Sequence, residues 1–246
     1  MPEIIEKTNV VFNTATFDDM TFIIFHPEEI QQSFWKYGMY YEADMVAFIQ
    51  DNYKGGTFID AGSCIGNHIL AFSKLADKVY SFEPHIGVFA HQILNMIINK
   101  IQNVELFNLG LGDKTVVKSL YSDGRCAGGN TLLKESVVTK KFTEKKIQIS
   151  TLDNFKIKDV KLIKIDVEGY EINVLKGAEK TIKKYKPDLF IECATEQMLK
   201  DVAGYLNPLK LGYTTFPVQF NNTPTFLFTT KEHNTYKVRE KNDKNR

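Results

Sequence analysis

Two short β-rich runs, NVVFN at 9–13 and TFIIF at 21–25, stand either side of the polar pair Asp18 and Asp19. This pattern predicts a hairpin or two peripheral strands. From Ile30 to Gln50 the apolar spacing lengthens to a helical one, with Met45, Val46 and Ile49 on one side, until Gly55-Gly56 turns the chain. TFIDAG at 57–62 then reads as a buried strand breaking into glycine, followed by helical spacing at Ile69, Leu70, Phe72 and Ala76. KVYSFEP at 78–84 is a second strand, stopped by Pro84. Ile86, Phe89, Ala90, Ile93, Leu94 and Ile97 share one face of a helix over 86–99, and VELFN at 104–108 is a third strand.

The alternation resumes after an irregular stretch. KLIKIDV at 161–167 is strand four, Ile172, Leu175 and Ala178 mark a helix, and DLFIECA at 188–194 is strand five. A helix over about 197–210 ends at Gly212, and residues 213–216 and 225–229 form two last strands. Alternating strands and helices predict an α/β fold, a mostly parallel seven-stranded sheet with helices on both faces. The last two strands lack a long helix between them, so an antiparallel edge pair is expected. The organisation expected is a β extension over 1–30, one domain over 31–230 and a polar tail over 231–246. Residues 113–150 interrupt the alternation with Gly124, Gly128, Gly129 and a lysine-rich stretch; an insertion beyond parallel strand ends is where a substrate pocket forms.

Composition narrows the function classes. The 246 residues are 43% hydrophobic and 25% charged, ordinary for a globular chain, which excludes wholesale disorder and a disulfide scaffold. Lys plus Arg is 31 against Asp plus Glu at 30, so the basic excess of a nucleic-acid binder is absent. Three scattered cysteines, Cys64, Cys126 and Cys193, suit a reducing compartment. No run approaches 18 apolar residues, and Met1-Pro2-Glu3 lacks the basic start of a signal peptide. A cytoplasmic protein without a membrane span is the expectation.

The first strand ends in Asp60-Ala61-Gly62-Ser63-Cys64-Ile65-Gly66-Asn67. Gly62 allows a tight turn and close approach of a ligand, and Gly66 opens the helix. The three-glycine dinucleotide spacing is absent, as is a Gly-Lys-Ser/Thr phosphate loop, which argues against a nicotinamide dehydrogenase. A carboxylate here repels phosphate and favours a cationic ligand such as a sulfonium. Glu83 ends strand two, where an acid accepts hydrogen bonds from both ribose hydroxyls. An adenosine cofactor without phosphates, S-adenosylmethionine, fits both features.

DAGSCIGNH at 60–68, SFEP at 81–84, TLDNF at 151–155 and LIKIDVEGYEINVLKGA at 162–178 resemble the FkbM-type family of class I S-adenosylmethionine-dependent methyltransferases, over about residues 38–230. Ser63-Cys64 stand where that family usually reads Ala-Asn. The resemblance implies a Rossmann-like methyltransferase fold. It implies that Asp60, Gly62, Ser63, Gly66 and Asn67 hold the methionine end and that Glu83 and Pro84 hold the ribose. Asn108 and Gly110 would then lie against adenine, with Tyr41, Glu42 and Asp166 also against the cofactor. It points further to O-methylation of a sugar, glycan or similar small polar acceptor.

Asp166, Glu168 and Glu192, at the ends of strands four and five, are the candidate catalytic residues. Clustered acids are costly unless they face solvent, a cation or hydrogen-bond donors. Asp166 is the first choice for taking the acceptor's proton. Asp166 and Glu192 stand where they could share a hard divalent cation, but no metal ligand is assigned. His68 is expected to pack, and His85 to cap the cofactor. Rival readings are an RNA or protein methyltransferase and a non-catalytic adaptor. A homodimer through the strands of 9–25 is compatible with the pattern.

Overall fold

A computed structural model describes residues 12–25, 32–33, 36–122, 128–137, 141–220 and 224–239. A hairpin, β1 (Asn13–Phe17) and β2 (Met20–Ile24), precedes α1 (Ala43–Asn52). The next elements are β3 (Thr57–Ala61), α2 (Asn67–Ser73), β4 (Lys78–Phe82), α3 (Ile86–Ile98) and β5 (Val104–Phe107). A small sheet follows, of β6 (Gly110–Leu111), β7 (Val116–Ser122) and β8 (Thr143–Ser150). The chain then runs through β9 (Val160–Ile165), α4 (Glu171–Gly177), α5 (Glu179–Tyr185), β10 (Asp188–Glu192), α6 (Glu196–Leu206), β11 (Thr214–Phe220) and β12 (Thr225–Thr229).

The main sheet has the order β11-β12-β10-β9-β3-β4-β5. β3 lies between β4 and β9, and the five strands from β10 to β5 are parallel. The expected antiparallel pair is present with one refinement: β12 inserts between β10 and β11, antiparallel to both. Pro217 falls within the register shift of the edge strand β11, where no ladder donor is needed. The central strands are buried on both faces, so consecutive residues divide between two cores. Phe58, Leu162 and Phe190 pack with α1 and α2, whereas Ile59, Ile163 and Ile191 pack with α4, α5 and α6. Among the described residues no helix is long and apolar enough to cross a membrane.

Three expectations shift. The first strand runs on from Asn13 to Phe17 instead of ending at 13, while residues 9–11 lie outside the described ones; Asp18 and Asp19, both at positive φ, make the two-residue turn that sets this register. The first long helix starts at Ala43, because Gly38 and Glu42 take left-handed backbone just before it. The apolar stripe of α3 faces outward: Ile86 is 55% and Ile97 67% exposed. Its buried face instead carries Val88, His91, Gln92, Asn95 and Met96. The reason is the hairpin. The edge of β2 away from β1 has backbone groups needing partners. Asn99 takes both Thr21 N–H and C=O, Asn95 accepts from Ile23 N–H, and His91 bonds the Ile23 carbonyl. Side chains one turn apart thus replace a third strand.

Candidate active site

The carboxyl ends of β3, β4, β9 and β10 open into a cavity of about 280 Å³, near the lower end of small-molecule sites. Its floor is the loop after β3. Gly62 has φ +81°, and a Cβ there would lie 1.7 Å from the Asp166 carbonyl oxygen, so the two strand ends approach this closely only with glycine. Ser63 presents backbone to the cavity, while its hydroxyl accepts from Ser81 and Gln92 behind the loop. Gly66 caps α2. Asn67 lines the wall, but its amide accepts from Tyr41 N–H and donates to Tyr41 C=O. It therefore fixes the segment that carries Tyr41 and Glu42 over the opening. Asn67 thus clamps this segment while lining the cavity at its expected place.

Glu83 closes β4 and lines the same cavity with Pro84. Its carboxylate accepts from Cys64 N–H at 3.1 Å and His85 N–H at 2.7 Å. Burial nevertheless outweighs those donors and pushes its pKa up to about 7. Each oxygen holds one backbone donor and keeps a lone pair for a further one. Gly110 lies on the far wall. Asn108 does not: its amide donates to the carbonyls of Glu83 and Pro84, and its side chain lines a separate cleft with His85, Lys145 and Lys146. Asn108 shapes the Glu83 turn rather than the cavity wall.

Asp60 departs from its expected place. It is fully buried behind the cavity, and its carboxylate faces Lys164 at 3.9 Å. In register it lies beside Lys164 on the neighbouring strand, so the two side chains share a sheet face. Lys164 is 1% exposed and reaches Asp166 at 2.9 Å, and its ammonium lines the cavity. Burial alone would lower its pKa; Asp166, Asp60 and Glu42 together overcome this and raise it. Lysine inside an otherwise apolar strand, between Ile163 and Ile165, was the sequence signal for this residue, and periodicity alone passed over it.

Asp166, Glu168 and Glu192 do converge on the rim, with carboxylate oxygens within 4.8 Å of one another. At this separation Asp166 and Glu192 disfavour each other's ionised form. Burial works to raise Asp166, but Lys164 reverses this and holds it below the usual range. Glu192 is driven well above the usual range by burial and by Asp166. Glu168 is pushed up to about 7 by burial and by the charges of Asp166 and Glu171. Glu171 turns inward to accept from Val167 and Gly169 N–H, which sets the loop carrying Glu168. The Lys164 ammonium supplies the positive charge of this cluster, and no metal ligand is assigned to it. On the opposite wall His68 Nε2 lies 3.0 Å from Glu42 Oε2, both buried. His85 instead caps α3, accepting from Val88 N–H.

The interruption of the alternation also contributes. Leu120, Gly128, Gly129, Asn130 and Leu132 line the cavity from the β6–β8 side. Thr131 bridges to Tyr121 and donates its hydroxyl to the Glu168 carbonyl, and Leu133 lies where a Cβ on Gly169 would sit, 2.8 Å away. The small sheet is thereby tied to the turn that carries Glu168. Gly124 and residues 138–140 lie outside the described residues. Three non-glycine residues around the cavity, Glu42, Cys64 and Glu168, hold positive φ of 50–58°. Local backbone strain of this kind concentrates at functional sites.

Residues 60–215, more than half of the chain, match the family described as Methyltransferase FkbM domain. The chain belongs to the FkbM family of S-adenosylmethionine-dependent methyltransferases. A curated relative, Methyltransferase 1 of Beauveria bassiana (strain ARSEF 2860), is 25% identical over 158 residues, covering 55% of this chain and 62% of that protein. The crystal structure of methyltransferase FkbM from Methylobacillus flagellatus KT is similar in fold, with TM-score 0.53 and 21% identity. It is matched over 73% of this chain and 44% of its own, so this FkbM domain spans less than half of that protein.

Proposed function

We propose that the protein transfers a methyl group from S-adenosylmethionine to a hydroxyl of a sugar, glycan or similar small polar acceptor. One observation carries this reading. Glu83, buried and with acceptor capacity beyond its two backbone donors, opens into the same cavity as the Asp166–Glu192 pair. Cofactor reader and proton-handling group thus share one enclosed space. The FkbM family membership supports the methyl donor, and the carbohydrate acceptor rests on the resemblance of the motifs.

Glu83 would hold the ribose, and Gly62, Ser63 and Cys64 would present backbone to the methionine end. Tyr41, Glu42 and Pro84 would flank the cofactor, with Gly110 and Leu111 on the far wall. When bound, S-adenosylmethionine supplies an electrophilic methyl on a cationic sulfur. The protein's task is then to align an acceptor oxygen and remove its proton. An alcohol is a very weak acid, so proton removal is late and concerted with attack. Asp166 is ionised and accepts that proton. Glu168, with a pKa of about 7, is matched to neutral solution and is the second acceptor at the rim. Glu192 carries a proton and serves as a donor. Phe82, Leu120, Leu132 and Val167 give the cavity apolar walls that exclude water. The insertion would contact the acceptor through Gly128, Gly129 and Asn130.

The test is a panel of nucleotide sugars and glycosides incubated with labelled S-adenosylmethionine, with and without a divalent ion. Methyl transfer to oxygen of a carbohydrate is expected. Asp166→Ala should abolish turnover while leaving cofactor affinity within a few-fold. Equal loss of both would move Asp166 into the cofactor-binding set, and transfer only to RNA or protein would replace the acceptor class.

A further inference from the structure

The rim holds two carboxyls, Asp166 and Glu192, with oxygens within 4.8 Å of each other, and nothing in their own chemistry decides which of them keeps a proton. Asp166 and Glu192 end neighbouring parallel strands on the same sheet face. Two unprotonated carboxylates at this distance repel strongly, so one proton stays with the pair. Lys164 breaks the symmetry. It sits two residues before Asp166, so strand alternation returns its side chain to the same face. Its ammonium is 2.9 Å from Asp166, while its register partner on β10 is Phe190, not Glu192. On the other side it meets Asp60 at 3.9 Å.

We propose that Lys164 is a positioning residue of the transfer step: its buried ammonium assigns the shared proton to Glu192 and leaves Asp166 as the group that accepts the acceptor's proton. This rests on the reading above that the acceptor is a hydroxyl. The other charged groups around the pair pull both ways: the carboxylates of Asp60, Glu83, Glu168 and Glu171 oppose ionisation of Asp166, so Lys164 at 2.9 Å has to outweigh them. Asp60 on β3 and Glu42 ahead of α1 hold Lys164 charged. His68 on α2 lies toward Asp166, favouring its carboxylate form. Glu168, in the turn after β9, opposes ionisation of Glu192. Asp60, which the sequence placed against the cofactor, acts through Lys164 instead.

The proposal makes Glu192 a hydrogen-bond donor at neutral pH, so Gln can replace it and Ala cannot. It also makes the Lys164 charge, not its length, the active property, so Arg should substitute better than Met.

Protein carrying carboxyl-¹³C Asp and Glu, saturated with S-adenosylhomocysteine, is titrated by NMR, with Asp166→Asn and Glu192→Gln assigning the signals. In the wild-type protein Asp166 should stay ionised below the ordinary carboxylate range while Glu192 titrates above it. Lys164→Met should raise the Asp166 midpoint by more than one pH unit, and Lys164→Arg should restore most of the difference. Should Lys164→Met fail to fold, Glu192→Gln decides: Asp166 must still titrate below the ordinary range with its carboxyl partner neutralised. An Asp166 midpoint at or above that range in Glu192→Gln, or one unmoved in folded Lys164→Met, overturns the proposal. The titration uses no acceptor. A hydroxyl acceptor additionally requires the acid limb of turnover to move with Asp166; an intact titration with no such limb would reject the acceptor reading and keep the assignment of the proton.

Discussion

The two ends of strand β10 carry one buried acid each, and they are built in opposite ways. At the amino end Asp188 is fully buried and saturated: Tyr53, Tyr236 and Lys231 donate to one oxygen and Thr229 to the other. At the carboxyl end, four residues on, Glu192 meets Asp166, a second carboxyl that competes for the same proton. Saturated donors make a buried charge a tie between elements, here joining α1, β10, β12 and the segment after β12. Unsaturated carboxyls beside a cavity make it a reagent. The sheet is therefore stitched at its base and left electrostatically tense at its rim, where ligands bind in open parallel sheets.

The sharpest way to break the contrast is to empty both ends in turn. Asp188→Ala strands three hydroxyls, and unfolding by denaturant should show a loss of about 3 kcal/mol, roughly 1 kcal/mol for each unsatisfied donor; the half-exposed Lys231 ammonium stays hydrated and adds little. Glu192→Gln keeps a donor in place and should leave stability within about 0.5 kcal/mol. Equal losses at the two ends would erase the distinction.

Next in size is Glu83→Gln. Replacing an ionised acceptor of two hydroxyls by an amide should weaken cofactor binding on the order of 100-fold by calorimetry, the value of two charged hydrogen bonds partly lost. The melting temperature should also fall, because Cys64 N–H and His85 N–H bond different carboxylate oxygens and the Gln amide has one acceptor oxygen for the two of them.

pH separates the ends further. Glu83 and Glu168 have folded pKa values of about 7 against an ordinary 4.5. Between those values the folded chain keeps protons that the unfolded chain has released. Their contribution to stability is thus fullest below about 4.5 and declines as pH rises toward 7. Asp166, held below its ordinary value, acts in the opposite sense and loses its contribution only on acidification through its folded pKa. Glu83→Gln should flatten the neutral part of a stability–pH curve.

The smallest effect concerns strain. Cys64 sits at φ +50°, where Asn and Gly are at ease and Cys is not. Cys64→Asn should stabilise the loop by about 0.5–1 kcal/mol in thermal unfolding with cofactor affinity retained. A destabilised variant would show that the thiol's packing outweighs the backbone cost.

The fold was legible because parallel strands buried on both faces leave dense apolar runs, and TFIDA, KLIKI and DLFIE stand out as such. The rim was legible for a related reason: acids at strand ends interrupt those runs. What escaped notice was polarity used inside the structure. Lys164 lies within a buried strand, and its meaning depends on Asp60 and Asp166 arriving from other positions. His91, Asn95 and Asn99 recur at four-residue intervals on α3, yet the apolar stripe on the opposite face was the stronger periodic signal and pointed to the wrong side. Side-chain commitments were equally hidden: Asn67 and Asn108 bond backbone of other loops, a pairing that spacing does not encode.

The account depends on Glu83 reading a ribose within the cavity. A calorimetric titration of the wild-type protein with S-adenosylmethionine at pH 8 and at pH 6 tests this directly. One molecule should bind per chain at both, roughly tenfold more weakly at pH 6, as Glu83 with a pKa of about 7 becomes protonated. Absence of binding, or an affinity equal at both pH values and unchanged in Glu83→Gln, would contradict it.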